Sequence, residues 1–245
     1  MARFHKKFSY VKVTETWFTY KFNFRDLFTL NAYLHIKDAE NQKIFGIQDN
    51  SCTVELKLDS DIETIFANFR PTLRRDIKNS QKELVECHFR DDKIDEFVSF
   101  HNAFANSKKI WLTSKSRIEE MGDNIKMSFA TLNGQTLAVH SYLVDEEVGI
   151  ARLLHSASNR LDENIDKNLT GRAGKLLTYK DIIFFKEAGY KIMDFGGYAD
   201  NTEDKSLKGI NEFKLSFGGE KVTCVNYYSI PHYVLKKIRE KISSV

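Results

Sequence analysis

The chain has 245 residues, a formal net charge of +3, 42% hydrophobic and 29% charged residues, globular values for one large domain or one domain with a substantial extension. So small a charge excludes a nucleic-acid binder that works through its whole surface, and leaves open only a local basic patch. There is no run of about eighteen apolar residues and no apolar segment behind the charged start Met1 to Phe8, so neither a transmembrane helix nor a signal peptide is expected and a cytoplasmic protein is implied.

Cys52, Cys87 and Cys224 are far apart in sequence, without the spacing of a zinc site, and read as free thiols in a reducing compartment with no metal expected. Residues 8 to 58 alternate aromatic or branched with polar residues, as in Phe8 to Thr14 and Val54 to Leu58, with Asp49-Asn50-Ser51 as a turn signal; this predicts a strand-rich segment. Ser60, with Glu63 three residues on, predicts a capped helix to about Asn68. Pro71 predicts the first turn of a second helix reaching Glu86. Along that helix Arg74, Lys78 and Lys82 recur every four residues, with Arg70 and Arg75 beside them. Such a face is either simply solvated or an anion site for a diphosphate or nucleotide, for which arginine's planar fork is well shaped.

A third helix is expected over Lys93 to Asn106, with Phe97, Phe100 and Phe104 as core positions. Met127 to Leu132, Asn133-Gly134 and Gln135 to Asp145 predict a hairpin, because Asn-Gly accepts the positive dihedrals of a tight turn. Ile150 to Ser156 predicts a third strand. Ala138, His140 and Tyr142 share one face of the middle strand, where His140 is either a satisfied histidine or a group available for proton transfer. Asn168-Leu-Thr-Gly171-Arg172-Ala173-Gly174-Lys175 opens a helix to Ala188 that is apolar on most sides and therefore buried. The apolar run Ile192 to Phe195 ends in Gly196-Gly197. A helical segment with Ile210, Phe213, Lys214 and Phe217 then ends in Gly218-Gly219, so two glycine pairs mark two sharp element ends. Strands from Glu220 to Ile230 and a last helix from Pro231 complete the chain.

The series Asp194-Phe195-Gly196-Gly197 followed by Gly209-Ile210-x-x-Phe213-Lys214-x-x-Phe217-Gly218-Gly219 resembles the closing signature of the FemAB-like branch of the GNAT acyltransferase superfamily, in its single-domain, surface-polysaccharide-associated type. Arg74-Arg75-x-Ile77-Lys78 is similar to the first-helix pattern of the same families. The resemblance spans about residues 60 to 230. It implies an α+β fold, a GNAT-like mixed and mainly antiparallel sheet flanked by helices, with residues 59–245 as the acyltransferase domain and 1–58 as a strand-rich extension packed on it. It also implies a bacterial cytoplasmic N-acyltransferase moving an acyl or aminoacyl group to an amine on an amino sugar or cell-wall precursor. The donor expected is acyl-CoA, with aminoacyl-tRNA as the alternative and the only reason for a nucleic-acid partner.

Under that resemblance Lys214 is the oxyanion partner and Phe213 fixes its helix, while Asp194 and His140 are candidate bases. Asn168, Gly171, Arg172, Ala173, Gly174 and Lys175 fit the spacing of a CoA pyrophosphate loop, with Asn168 in a place where the GNAT pattern has Gln or Arg. They equally fit plain glycines at a helix start. Arg70, Arg74, Arg75, Arg152, Arg160 and Arg172 are candidates for holding anionic parts of donor or acceptor. The reading from a different class is a non-catalytic module of the same fold that binds a nucleotide-sugar, saccharide or RNA through the Arg70 to Lys82 face.

Overall fold

The computed structural model describes residues 1–8, 11–19, 24–37, 46–160 and 166–243; Ser9 and Tyr10 of the first predicted strand lie outside them. The chain divides into two compact units, Met1–Thr53 with Lys221–Val245, and Val54–Glu220.

In the first unit β1 (Arg3–Phe8) and β2 (Val11–Trp17) pair antiparallel, and β3 (Asn31–Ile36) runs parallel to β2. β10 (Glu220–Tyr228) pairs antiparallel with β3 and is followed in the sheet by the first half of β4 (Ile47–Lys57). Asp49-Asn50-Ser51, expected as a turn, therefore lies inside a strand; Asp49 is exposed and takes Lys236 of the last helix, α7 (Ile230–Ser243), at 2.8 Å. Tyr33, Ile36 and Tyr227 form a small core.

The second unit has the strand order β4-β9-β8-β7-β6-β5, with β5 (Glu86–Phe89), β6 (Ile125–Leu132), β7 (Gln135–Asp145), β8 (Ile150–Ser158) and β9 (Ile192–Gly197). The pairs β5–β6, β6–β7 and β7–β8 are antiparallel, and β8–β9 is parallel. The α+β class and mixed sheet read from the sequence are thus what the structure has. Asn133 and Gly134 carry the positive φ values, 50° and 77°, that the hairpin between β6 and β7 demands.

Helices α1 (Ile62–Ala67), α2 (Pro71–Lys82), α3 (Ile94–Lys108), α4 (Lys115–Glu119), α5 (Lys167–Glu187) and α6 (Lys205–Leu215) complete this unit. α1 is capped one residue later than expected: Asp61, not Ser60, accepts from Thr64 N–H at 2.8 Å, a carboxylate being the stronger acceptor at a helix N-terminus. α2 stops at Lys82 instead of Glu86, because Leu84 turns to φ 59° and Glu86 to Phe89 pair with β6. α5 packs on the face of β7 that carries His140 and Tyr142, where Asp181 lies 2.7 Å from both His140 Nδ1 and the Tyr142 hydroxyl. α3 packs on the other face, where His101 meets His155 at 4.8 Å between ring centres; adjacent residues of a strand point to opposite faces. The core joins α1, α2 and α5 to the sheet through Phe69, Phe195 and Phe217.

Phe217 is fully buried, 5.2 Å from the ring of Phe69 and 5.4 Å from that of Phe195. Phe217→Ala is expected to lower the unfolding free energy in urea by about 3–5 kcal/mol; a loss below about 1 kcal/mol would show that this aromatic cluster does not hold the end of α6.

Candidate active site at the end of the β8–β9 pairing

The register of β8 with β9 runs Ile150 to Ile192, Ala151 to Met193 and Arg152 to Asp194, and ends there. Just beyond, β8 bulges: Ser141 of β7 faces His155 and Tyr142 faces Leu153, so Leu154 is the extra residue. A bulge bends its strand and raises its twist, and here it falls where the parallel pairing stops. Asp194 is fully buried, and its two carboxylate oxygens divide between neighbours: Oδ2 takes the Arg152 guanidinium at 2.5 Å and Oδ1 accepts from Gly196 N–H at 2.7 Å.

Gly196 has φ 80°, and a Cβ there would stand 3.0 Å from the Leu153 carbonyl oxygen. Both conditions require glycine. Gly197 follows, and its carbonyl accepts from Lys214 Nζ of α6. Burial, then the Arg152 guanidinium, push the Lys214 ammonium down to about 8, with Asp194 acting in the other direction. Lys214 is therefore a cation at neutral pH that gives up its proton far more readily than an exposed lysine.

α6 is positioned by two contacts that the apolar pattern did not reveal. Asn211, the buried residue of this helix, accepts from Ala199 N–H at 3.1 Å and donates to Ala199 O at 2.8 Å, clamping the loop after β9. Glu212 takes Arg70, the residue that opens α2, at 2.5 Å. An asparagine on the buried side of an otherwise apolar stripe was the available signal, since it competes for backbone groups. Ile210 and Phe213 are 45% and 36% exposed, and Phe213 meets Phe217 edge-on at 5.2 Å.

Of the residues singled out from sequence, Arg152, Asp194 and Lys214 come together with Gly196 and Gly197, Arg70 is tied to α6 through Glu212, and Phe213 lies against Phe217. His140 is held by Asp181 on the α5 face. Asn168 to Lys175 lie inside α5, whose N-cap Asp166 accepts from Asn168 N–H at 2.8 Å. Arg160 packs beside Gly171, 3.7 Å from where a Cβ would be. Ala173 is buried; Arg172 pairs with Glu83 and Lys175 with Asp76 at 2.6 Å, both partners on or next to α2. Arg74 and Arg75 line a cavity along α2.

No protein-family model matches the sequence, and neither does any curated protein. Solved structures share its fold. FemX superposes with a TM-score of 0.66 at 11% identity, over 95% of this chain and 85% of that one. L-PGS from Bacillus licheniformis gives 0.60 at 12% identity, over 97% and 84%. The C-terminal DUF2156 domain of a candidate lysylphosphatidylglycerol synthetase from Agrobacterium fabrum gives 0.60 at 11%, over 93% and 79%. The chain thus shares the fold of FemX and of L-PGS, the mixed α+β sheet flanked by helices that the resemblance implied.

Replacing Gly196 with alanine is expected to cost about 1–2 kcal/mol for the left-handed backbone alone, and more from the clash with Leu153. Urea unfolding checks this, and unchanged stability would mean that the strand end relaxes without strain.

Proposed function

We propose that the chain is an N-acyltransferase that moves an acyl or aminoacyl group from an activated donor to an amine on an amino sugar or another cell-envelope precursor. The observation that carries the reading is Lys214, a cation with a lowered proton affinity, held at the point where β8 and β9 cease to pair. Transfer to an amine proceeds by attack of the amine nitrogen on the donor carbonyl, which forms the C–N bond and leaves a negative oxygen. The Lys214 ammonium stabilises that oxyanion, as preorganised charge does in acyl transfer. Collapse breaks the C–S or C–O bond to the donor, and the proton lost by the amine ends on the departing thiol or hydroxyl. Asp194 acts as a positioning residue: it neutralises Arg152, which otherwise drives the Lys214 proton off, and it fixes Gly196.

The fold shared with FemX and with L-PGS supports transfer in a cell-envelope setting. Acyl-CoA and aminoacyl-tRNA are the two donors to be tried, with label followed into an amino-sugar acceptor. Among the described residues no helix is long and apolar enough to cross a membrane.

Lys214→Ala is expected to keep its melting temperature and lose about 10²–10³ in turnover. Full activity in the folded variant would remove Lys214 from the chemistry, and absence of transfer from either donor to any amine in the wild type would favour the binding-module reading.

The working form of Lys214 is the protonated one, so wild-type transfer should fall as pH rises through about 8. Lys214→Arg, which stays charged throughout, should move that descending limb to higher pH in a pH–rate profile. A limb that stays in place would assign it to another group.

A further inference from the structure

A cavity of about 630 Å³ opens between α1, α2 and the middle of α5, away from the strand end just described: neither Asp194, Gly196, Gly197 nor Lys214 lines it. Its size suits a small-molecule site of about 300–1,000 Å³. Arg74, Arg75, Lys78 and Lys82 line it along α2, against one carboxylate, Glu63 of α1. Helical spacing brings Arg74, Lys78 and Lys82 onto one face, where like charges repel.

The carboxylates that might have neutralised this face are turned elsewhere. Asp76 is held by Lys175 at 2.6 Å and Glu83 by Arg172, so the acids in and next to α2 are committed to α5. Arg75 reaches Asp76 only at 3.7 Å. Among the described residues Arg74, Lys78 and Lys82 have no acidic partner. A purely solvated face does not need this arrangement, because an ordinary helix surface interleaves opposite charges. Nor is the cavity only polar. Phe66 and Tyr179 line it, their rings 4.9 Å apart and inclined at 46°, and both are half-buried.

We infer that this cavity binds a nucleoside diphosphate group, with the two phosphates on the α2 cations and the base against Phe66 and Tyr179. Arginine grips phosphate oxygens in pairs, and an aromatic wall accepts the face of any base, so the site favours the diphosphate over a particular base. The inference stands on the cavity itself and is independent of the transfer reading. The same chemistry is carried by coenzyme A and by a nucleotide-activated sugar.

Calorimetric titration of the full chain with ADP, UDP, inorganic pyrophosphate and adenosine tests it. Both nucleotides should bind, with affinity falling at least about tenfold as NaCl rises from about 50 to about 300 mM. Pyrophosphate and adenosine should each bind about tenfold or more weakly, since each lacks one half of the recognised group. The double variant Lys78→Glu, Lys82→Glu changes exposed side chains and should leave the melting temperature unchanged while abolishing nucleotide binding. Tyr179→Leu should weaken it severalfold, and Lys214→Ala should leave it intact even if transfer is lost. Titration with coenzyme A and with a uridine-diphospho-sugar assigns the cavity to the donor or to the acceptor, according to which binds more tightly. No nucleotide binding at millimolar concentration, binding that survives the double charge reversal, or pyrophosphate binding as tightly as ADP would each overturn the inference.

Discussion

The buried carboxylate of Asp194 is the point on which the rest of the second unit's working end depends. It is fully buried, and Arg152 on the neighbouring strand and the Gly196 amide both face it; an uncompensated carboxylate at such a place is costly. Removing either partner would change more than one contact, since Arg152 is itself one of the causes of the lowered Lys214 proton affinity. One ion pair thus stands where the parallel ladder ends, helps hold the glycine turn and, after burial, tunes the acidity of the nearby ammonium.

From that pair the geometry extends outward through backbone groups. Gly196 lies under the Leu153 carbonyl, Gly197 receives Lys214, and Asn211 holds the returning loop by both faces of Ala199. Arg70 then carries the connection to α2 through Glu212. That last pair is exposed on both sides and contributes little to stability, about 0–1 kcal/mol; its value is in orientation. The helix that lines the basic cavity and the helix that bears the ammonium are therefore linked by a contact that costs little to break.

Gly196 and Gly218 were readable in the sequence because each takes a positive φ, 80° and 77°, that glycine alone adopts freely. The Asn133-Gly134 hairpin was readable for the same reason. What was hidden lies at long sequence separation. Nothing near Asp76 or Glu83 tells that Lys175 and Arg172, some two helices away, will take their charges, and so nothing local separates a solvated basic face from a concave one. Glu86 reads as the end of a helix because the four residues to Phe89 carry too little alternation to signal a strand; its pairing with Thr131 decides the matter, a tertiary contact outweighing local propensity. Asp61 displaced Ser60 as the cap because two adjacent residues both had the chemistry and only the chain's path chose between them. On α6 the polar Asn211 is buried while the apolar Ile210 and Phe213 stay substantially exposed, the reverse of what their hydropathy implies.

Gly219 has a further meaning. A Cβ on it would stand 2.7 Å from the side chain of Val54 and 3.1 Å from the Glu55 carbonyl, so the first and the last residues of the second unit touch. A unit whose ends coincide in space is topologically a closed loop: the chain enters and leaves it at one spot, as a guest domain does within a host. Its ends could be ligated without a spacer and new ones opened at an exposed turn, so the order in which its strands are synthesised is not a requirement of its architecture.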